Sequence, residues 1–108
     1  MKAERLIINV ARDFSKFPAG RFNEDGDFSG QRFREQLLSR DLSKAKTVIV
    51  ELDGTAGYGS SFLEEAFGGM VRVQKFKPAE LHERLVLKSV DTSLTAEIWE
   101  YIDNKEIR

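Results

Sequence analysis

The run Thr47-Val48-Ile49-Val50-Glu51-Leu52 is β-branched and almost continuously apolar. It is followed by a glycine-punctuated stretch from Gly54 to Gly59 and then by apolar residues at helical spacing. Strand, tight loop and helix in that order form the unit from which parallel pairing is built, and so apolar a strand belongs in the middle of a sheet. The run Leu6 to Val10, and the run Arg84 to Val90, read as two more strands. Between and after them lie amphipathic segments. Ser29 can cap a helix from Gly30 to Arg40 that turns Phe33, Leu37 and Leu38 to one face. Phe62, Leu63, Ala66, Phe67, Met70 and Val71 predict a helix running to Phe76 and ended by Pro78, with one short turn over Ala79 to Glu83. Gly68 and Gly69 fall inside that helix and point to close approach of a neighbouring element. A last helix, capped by Asp91, Thr92 or Ser93, carries Leu94, Ile98, Trp99 and Ile102. Strands alternating with helices specify α/β layers with at least partly parallel pairing.

The 108 residues fit one domain spanning 1–108, and 41% hydrophobic with 32% charged residues is the balance of a globular chain able to bury a core. Seventeen basic and 18 acidic side chains leave a net charge of −1, so nothing draws the chain over distance to nucleic acid or to an anionic membrane. The absence of cysteine excludes disulfides, thiolate zinc sites and cysteine nucleophiles, and suits a cytoplasmic protein. No metal and no cofactor is expected. No apolar stretch approaches the ~18 residues of a membrane span. From Ala11 to Ser29 no helical period holds. The segment reads as a loop with at most one short strand at Arg21 to Asn23, its phenylalanines at 14, 17, 22 and 28 packing onto the fold.

Residues 53–65 hold whatever chemistry the chain has. Gly54-Thr55-Ala56-Gly57-Tyr58-Gly59-Ser60-Ser61 matches a phosphate-binding loop except that serine replaces the lysine that grips the β and γ phosphates. The loop from Gly54 to Ser61, at a helix N-terminus, is therefore an alternative small-ligand or nucleotide site rather than a triphosphatase. Asp53, Ser60 and His82 supply the residue types of a serine triad, but neither serine stands in G-x-S-x-G and His82 reads as a surface residue. The chain is accordingly expected not to be an enzyme. Ser61 with Glu64 three residues later fits a capping box. Ser60 then precedes the cap, at the positive end of the helix, where a phosphate would meet open N–H groups.

Two longer stretches resemble the STAS-like domains, a bacterial family of uncharacterised function. Phe28-Ser29-Gly30-Gln31-Arg32-Phe33-Arg34 matches F-S-G-x-x-F-R, and Gly57 to Gly69 matches G-Y-G-S-S-F-L-E-E-A-F-G-G. The resemblance implies an α/β fold of STAS-like architecture, a mixed central sheet with helices mainly on one face. The family is in turn similar to the anti-sigma factor antagonists, in which a strand leads into D-S-S-G and the first serine is phosphorylated by a partner kinase. That likeness implies a non-enzymatic regulatory, protein-binding module with Ser60 as phospho-acceptor. Gly57, Tyr58, Gly59, Ser60, Ser61 and Phe62 would be its binding residues, and a histidine-kinase-like ATP-binding regulator its partner. Gly59 stands where the antagonists carry aspartate, and Phe62 where they carry glycine.

Overall fold

Alternation along the strands decides which side of the sheet is packed. In the computed structural model, which describes residues 2–103, β1 (Ala3–Asn9), β2 (Ala45–Glu51) and β3 (Leu85–Lys88) form one sheet in the order β1-β2-β3. Leu6, Val48 and Leu85 lie side by side across it, as do Ile8, Val50 and Leu87. These six belong to the core or pack against it. The residues between them, Ile7, Ile49 and Val86, form a row on the opposite face, where Ile7 is 51% and Val86 40% exposed.

The strand at 47–52 is the central one, as its composition predicts. The expected mixed pairing is corrected, because both ladders among the described residues are parallel. Each strand is joined to the next through helices, and a crossover of that length returns the chain in the direction it left.

A single turn, α1 (Val10–Asp13), is capped by Asn9, whose side chain accepts from the Arg12 N–H at 2.9 Å. Two long helices follow. Helix α2 spans 30–42 and α3 spans 60–72, and in each the middle five residues, Arg34–Leu38 and Glu64–Gly68, are wound as π-helix. Ser29 caps α2 as expected, accepting from the Arg32 N–H at 3.1 Å. Helix α4 is Pro78–Arg84 and α5 is Thr92–Asp103.

Several boundaries differ from the sequence reading. Helix α3 stops at Arg72 rather than Phe76, and Lys75 beyond it has a positive φ of 66°. Pro78 opens α4 instead of closing α3, which suits a residue with preset φ and no N–H to leave unpaired. The short turn of 79–83 is thus a seven-residue helix. Arg84 ends that helix rather than starting β3, because its guanidinium binds backbone carbonyls of Leu42 and Ala45 where α2 runs into β2. No strand forms at Arg21 to Asn23, and Asn23–Asp25 is a 3-10 turn.

Phe33, Phe62 and Phe67 are fully buried where α2 meets α3, with the Phe33 ring centroid 6.0 Å from each of the other two. Each such ring contributes about 1.5–3 kcal/mol by leaving water. Phe14 reaches in from the loop and meets Phe33 edge-on at 5.3 Å. The helices approach closely because two positions lack side chains. A Cβ on Gly30 would run into the Phe62 carbonyl oxygen, and one on Gly69 into the Arg34 guanidinium. That guanidinium is nearly water-free, 3% exposed, and pairs with Glu65, 5% exposed, at 2.6 Å.

Candidate functional site

All three strands point the same way, so the segments leaving their C-terminal ends gather at one edge of the sheet. Leu52 continues β2 inward, its N–H donating to the Lys88 carbonyl at 2.9 Å. Asp53 then ties the β2 and β3 exits together. One of its oxygens accepts from the Ser89 hydroxyl at 2.6 Å and the other from the Val90 N–H at 3.0 Å. Beside this link a cleft of about 540 Å³ is lined by Asn9, Glu51, Asp53, Lys88 and Val90.

The glycine loop is fastened at both ends. The Ala56 N–H donates to the Lys16 carbonyl at 2.8 Å, and the Tyr58 hydroxyl donates to the Leu52 carbonyl at 2.7 Å. Burial pushes the Tyr58 phenol up to about 12, so it stays a donor. Between the two ties Gly57 sits at φ +133°, a backbone conformation that side chains resist.

Of the residues expected to bind, Gly57, Gly59, Ser60 and Ser61 are exposed and Tyr58 is half-buried. Phe62 is a correction: it lies in the core against Tyr58 and Phe33 and presents no surface. The capping box is a second correction. Gly59 is the N-cap and Ser60 and Ser61 are the first two residues of α3. Glu64 does not reach back to the backbone, because its carboxylate is held by Arg72 and by Arg21, the latter at 2.5 Å. Burial alone would raise the Glu64 carboxyl, but these two guanidiniums outweigh it and hold it below its ordinary value.

The first intrahelical N–H of α3 to find a carbonyl is that of Leu63, which donates to Gly59 at 3.2 Å. The N–H groups of the two serines therefore face outward at the positive end of the helix. Ser60 also lies against Tyr101 of α5, whose hydroxyl donates to Glu97 at 2.6 Å. That hydrogen bond, with burial adding to it, pushes the Tyr101 phenol up to about 12.

Phe17 is a residue the sequence reading misplaced. It was expected to pack, yet it is 71% exposed. Its backbone is nonetheless fixed: the Phe17 N–H donates to the Ser15 hydroxyl at 2.9 Å, and the preceding carbonyl of Lys16 takes the Ala56 N–H. The peptide that carries this exposed ring is thus tied to the glycine loop. The available sequence signal is Ser15-Lys16-Phe17-Pro18, a serine turn closed by proline, which points to a chain reversal rather than to a packed strand or helix.

Asp53, Ser60 and His82 do not form a relay. Asp53 is engaged with Ser89 and Val90, while His82 on α4 bonds the Asp103 carboxylate at 2.9 Å and stacks on Trp99 at 4.2 Å. Among the described residues no three histidines or carboxylates are grouped as a metal would need, and no helix is long and apolar enough to cross a membrane. A family model described as a STAS-like domain of unknown function (DUF4325) matches residues 29–94, from the cap of α2 into α5. No curated protein and no solved structure matches the chain.

Proposed function

We propose that this chain, which belongs to the family of STAS-like domains of unknown function, is a non-enzymatic regulatory module. It docks a protein partner at the edge formed by Phe17, the 53–59 loop and the start of α3. The observation that carries the reading is Phe17, 71% exposed and yet attached to a peptide group whose C=O and N–H are both hydrogen-bonded. A rigid, unburied aromatic is a poor surface residue and a good interface anchor. The loop tied to the Lys16 carbonyl carries Gly57 and Gly59 and leads into the exposed Ser60 and Ser61, so a partner meets an apolar contact and polar ones along the same edge.

Ser60 serves as the switch. A phosphate there adds about −1.5 to −2 charges at the centre of the docking edge. It finds the outward N–H groups of α3 on one side and the Tyr101 hydroxyl with its Glu97 carboxylate on the other. The modified edge therefore differs from the unmodified one in both charge and shape. The partner class that fits is a histidine-kinase-like ATP-binding regulator, which binds the edge and modifies it.

The strand order supports docking over the nucleotide alternative at Gly54 to Ser61. The strand order is β1-β2-β3, and crossovers of the ordinary right hand between such neighbours would wind the sheet in one direction and leave helices mainly on one face. A sheet wound one way has no reversal of strand order, so the cleft beside Asp53 does not lie at the kind of switch point where such folds receive nucleotides.

Incubating the full chain and its Phe17→Asp variant with ATP and the kinase-like ATPases of its source tests the reading. Binding by the parent chain, phosphate mapped to Ser60 by mass spectrometry, and loss of binding in the variant are expected. Neither binding nor modification at Ser60 contradicts it.

A further inference from the structure

Parallel sheets are ordinarily covered on both faces, because their strands are apolar on both. Here one face is not. Ile7, Ile49 and Val86 lie side by side on it, with Arg5 and Thr47 toward one end of the strands and Asn9, Glu51 and Lys88 toward the other. A shallow groove lined by Arg5, Thr47, Ile49 and Val86 occupies the first end. We propose that this face binds a second copy of the same chain, forming a weak two-fold dimer by sheet-on-sheet packing. It is a different surface from the docking edge and does not depend on it.

The residue pattern is self-complementary. A two-fold axis crossing the strands at Ile49 lays each strand antiparallel over its counterpart, so that Ile7, Ile49 and Val86 each stack on themselves. Two aligned sheets pack in this way with their strands within about 30° of one another. The same rotation brings Arg5 of each copy to the end of the other that carries Glu51. Glu51 is engaged within its own chain through a single oxygen, which accepts from the Asn9 amide at 3.2 Å. Glu4, the acid next to Arg5, is turned to Lys46 at 3.6 Å. The two-fold thus supplies each arginine with a carboxylate, twice per dimer.

The area sets the strength. Two strands of seven residues and one of four, about 4.8 Å apart with a rise of about 3.3 Å per residue, make a face of roughly 280 Å². A stable interface covers about 800 Å² per partner, so this one is weak and reversible.

Sedimentation velocity on the full chain from about 10 μM to about 1 mM reads the association directly, with thermal melts confirming that each variant folds. Reversible association that rises across this range is expected. Ile7→Lys, at an exposed position, abolishes it. Arg5→Glu and Glu51→Arg each weaken it by about tenfold, and the double variant, which restores opposite charges across the axis, recovers to within about threefold of the parent. A parent chain that stays monomeric at ~1 mM overturns the proposal. So does a dimer indifferent to Ile7→Lys, or a double charge swap no better than the single ones.

Discussion

Phe17 and Phe14 are the same residue type in the same loop, with opposite fates. Phe14 meets Phe33 and Phe28 edge-on, at 5.3 and 5.5 Å, and so pins the loop, whereas Phe17 is left outside. Composition shows an aromatic loop but not which ring finds a cavity, because that depends on where α2 and the loop meet. Phe17→Ala is expected to leave stability within about 0.5 kcal/mol in a denaturant melt, as for other exposed positions, while partner binding is lost. The serines were legible by a different measure. Ser29 caps α2 as its position predicts, since its oxygen competes with no stronger partner for the Arg32 N–H. Ser61 with Glu64 has the pattern of a capping box and does not form one, because Arg21, 43 residues away in sequence, takes the carboxylate at 2.5 Å. No local pattern contains that partner. Ser60→Ala is expected to bind the partner as the parent does and to be refractory to modification, while Ser60→Asp, which places charge beside Glu97, reduces binding. Titration calorimetry with the purified partner checks both.

The pairing of α2 with α3 rests on one close approach and one buried ion pair. Glu65 accepts from Arg34 through one oxygen at 2.6 Å and from Arg72 through the other at 3.0 Å, and Arg34 also reaches the Gln74 side chain at 3.1 Å. With both Glu65 oxygens matched to guanidinium groups, truncating one partner strands the other's charge out of water. Glu65→Ala is therefore expected to lower stability by about 3–5 kcal/mol in urea, and Arg34→Met with Glu65→Leu to recover most of the loss. Gly30→Ala places a methyl group against the Phe62 carbonyl and should cost about 1–3 kcal/mol, read as a lowered Tm. The helical period of both elements, and the need for close packing at Gly68 and Gly69, could be read from the chain. The π-wound middles at Arg34–Leu38 and Glu64–Gly68 could not, because a helix that widens for one turn keeps almost the same apolar spacing. The end of α3 was misread for a related reason. The apolar period continues through Val73 to Phe76, but the Phe76 N–H turns back to the Met70 carbonyl at 3.0 Å instead of extending the helix.

Across the whole molecule, three strand-forming runs and the helices between them were enough to specify an α/β domain. The parallel pairing of every strand was not, since β-propensity carries no direction and only the crossovers do. The titrating groups give the domain a bounded range of pH stability. Glu64 has a lowered folded pKa, so its contribution is present above the ordinary value of 4.5 and is lost as pH falls through the lowered one. Tyr58 and Tyr101 have raised values, so their contribution holds below the ordinary 10.0 and is lost as pH rises toward about 12. Denaturant melts across the range are expected to show a plateau between these limits, with a fall on the acid side that Glu64→Gln moderates. The bare outer face and the loop-rich C-terminal edge are two separate surfaces of one sheet, and the edge is the one assigned to the partner. Crosslinking in the source cell, from a photoreactive amino acid placed at position 17 with position 83 on α4 as the control, tests that assignment most directly. A dominant adduct formed from 17, missing from 83 and lost in Ser60→Asp, is the predicted result; no adduct from 17, or the same adducts from both positions, would contradict it.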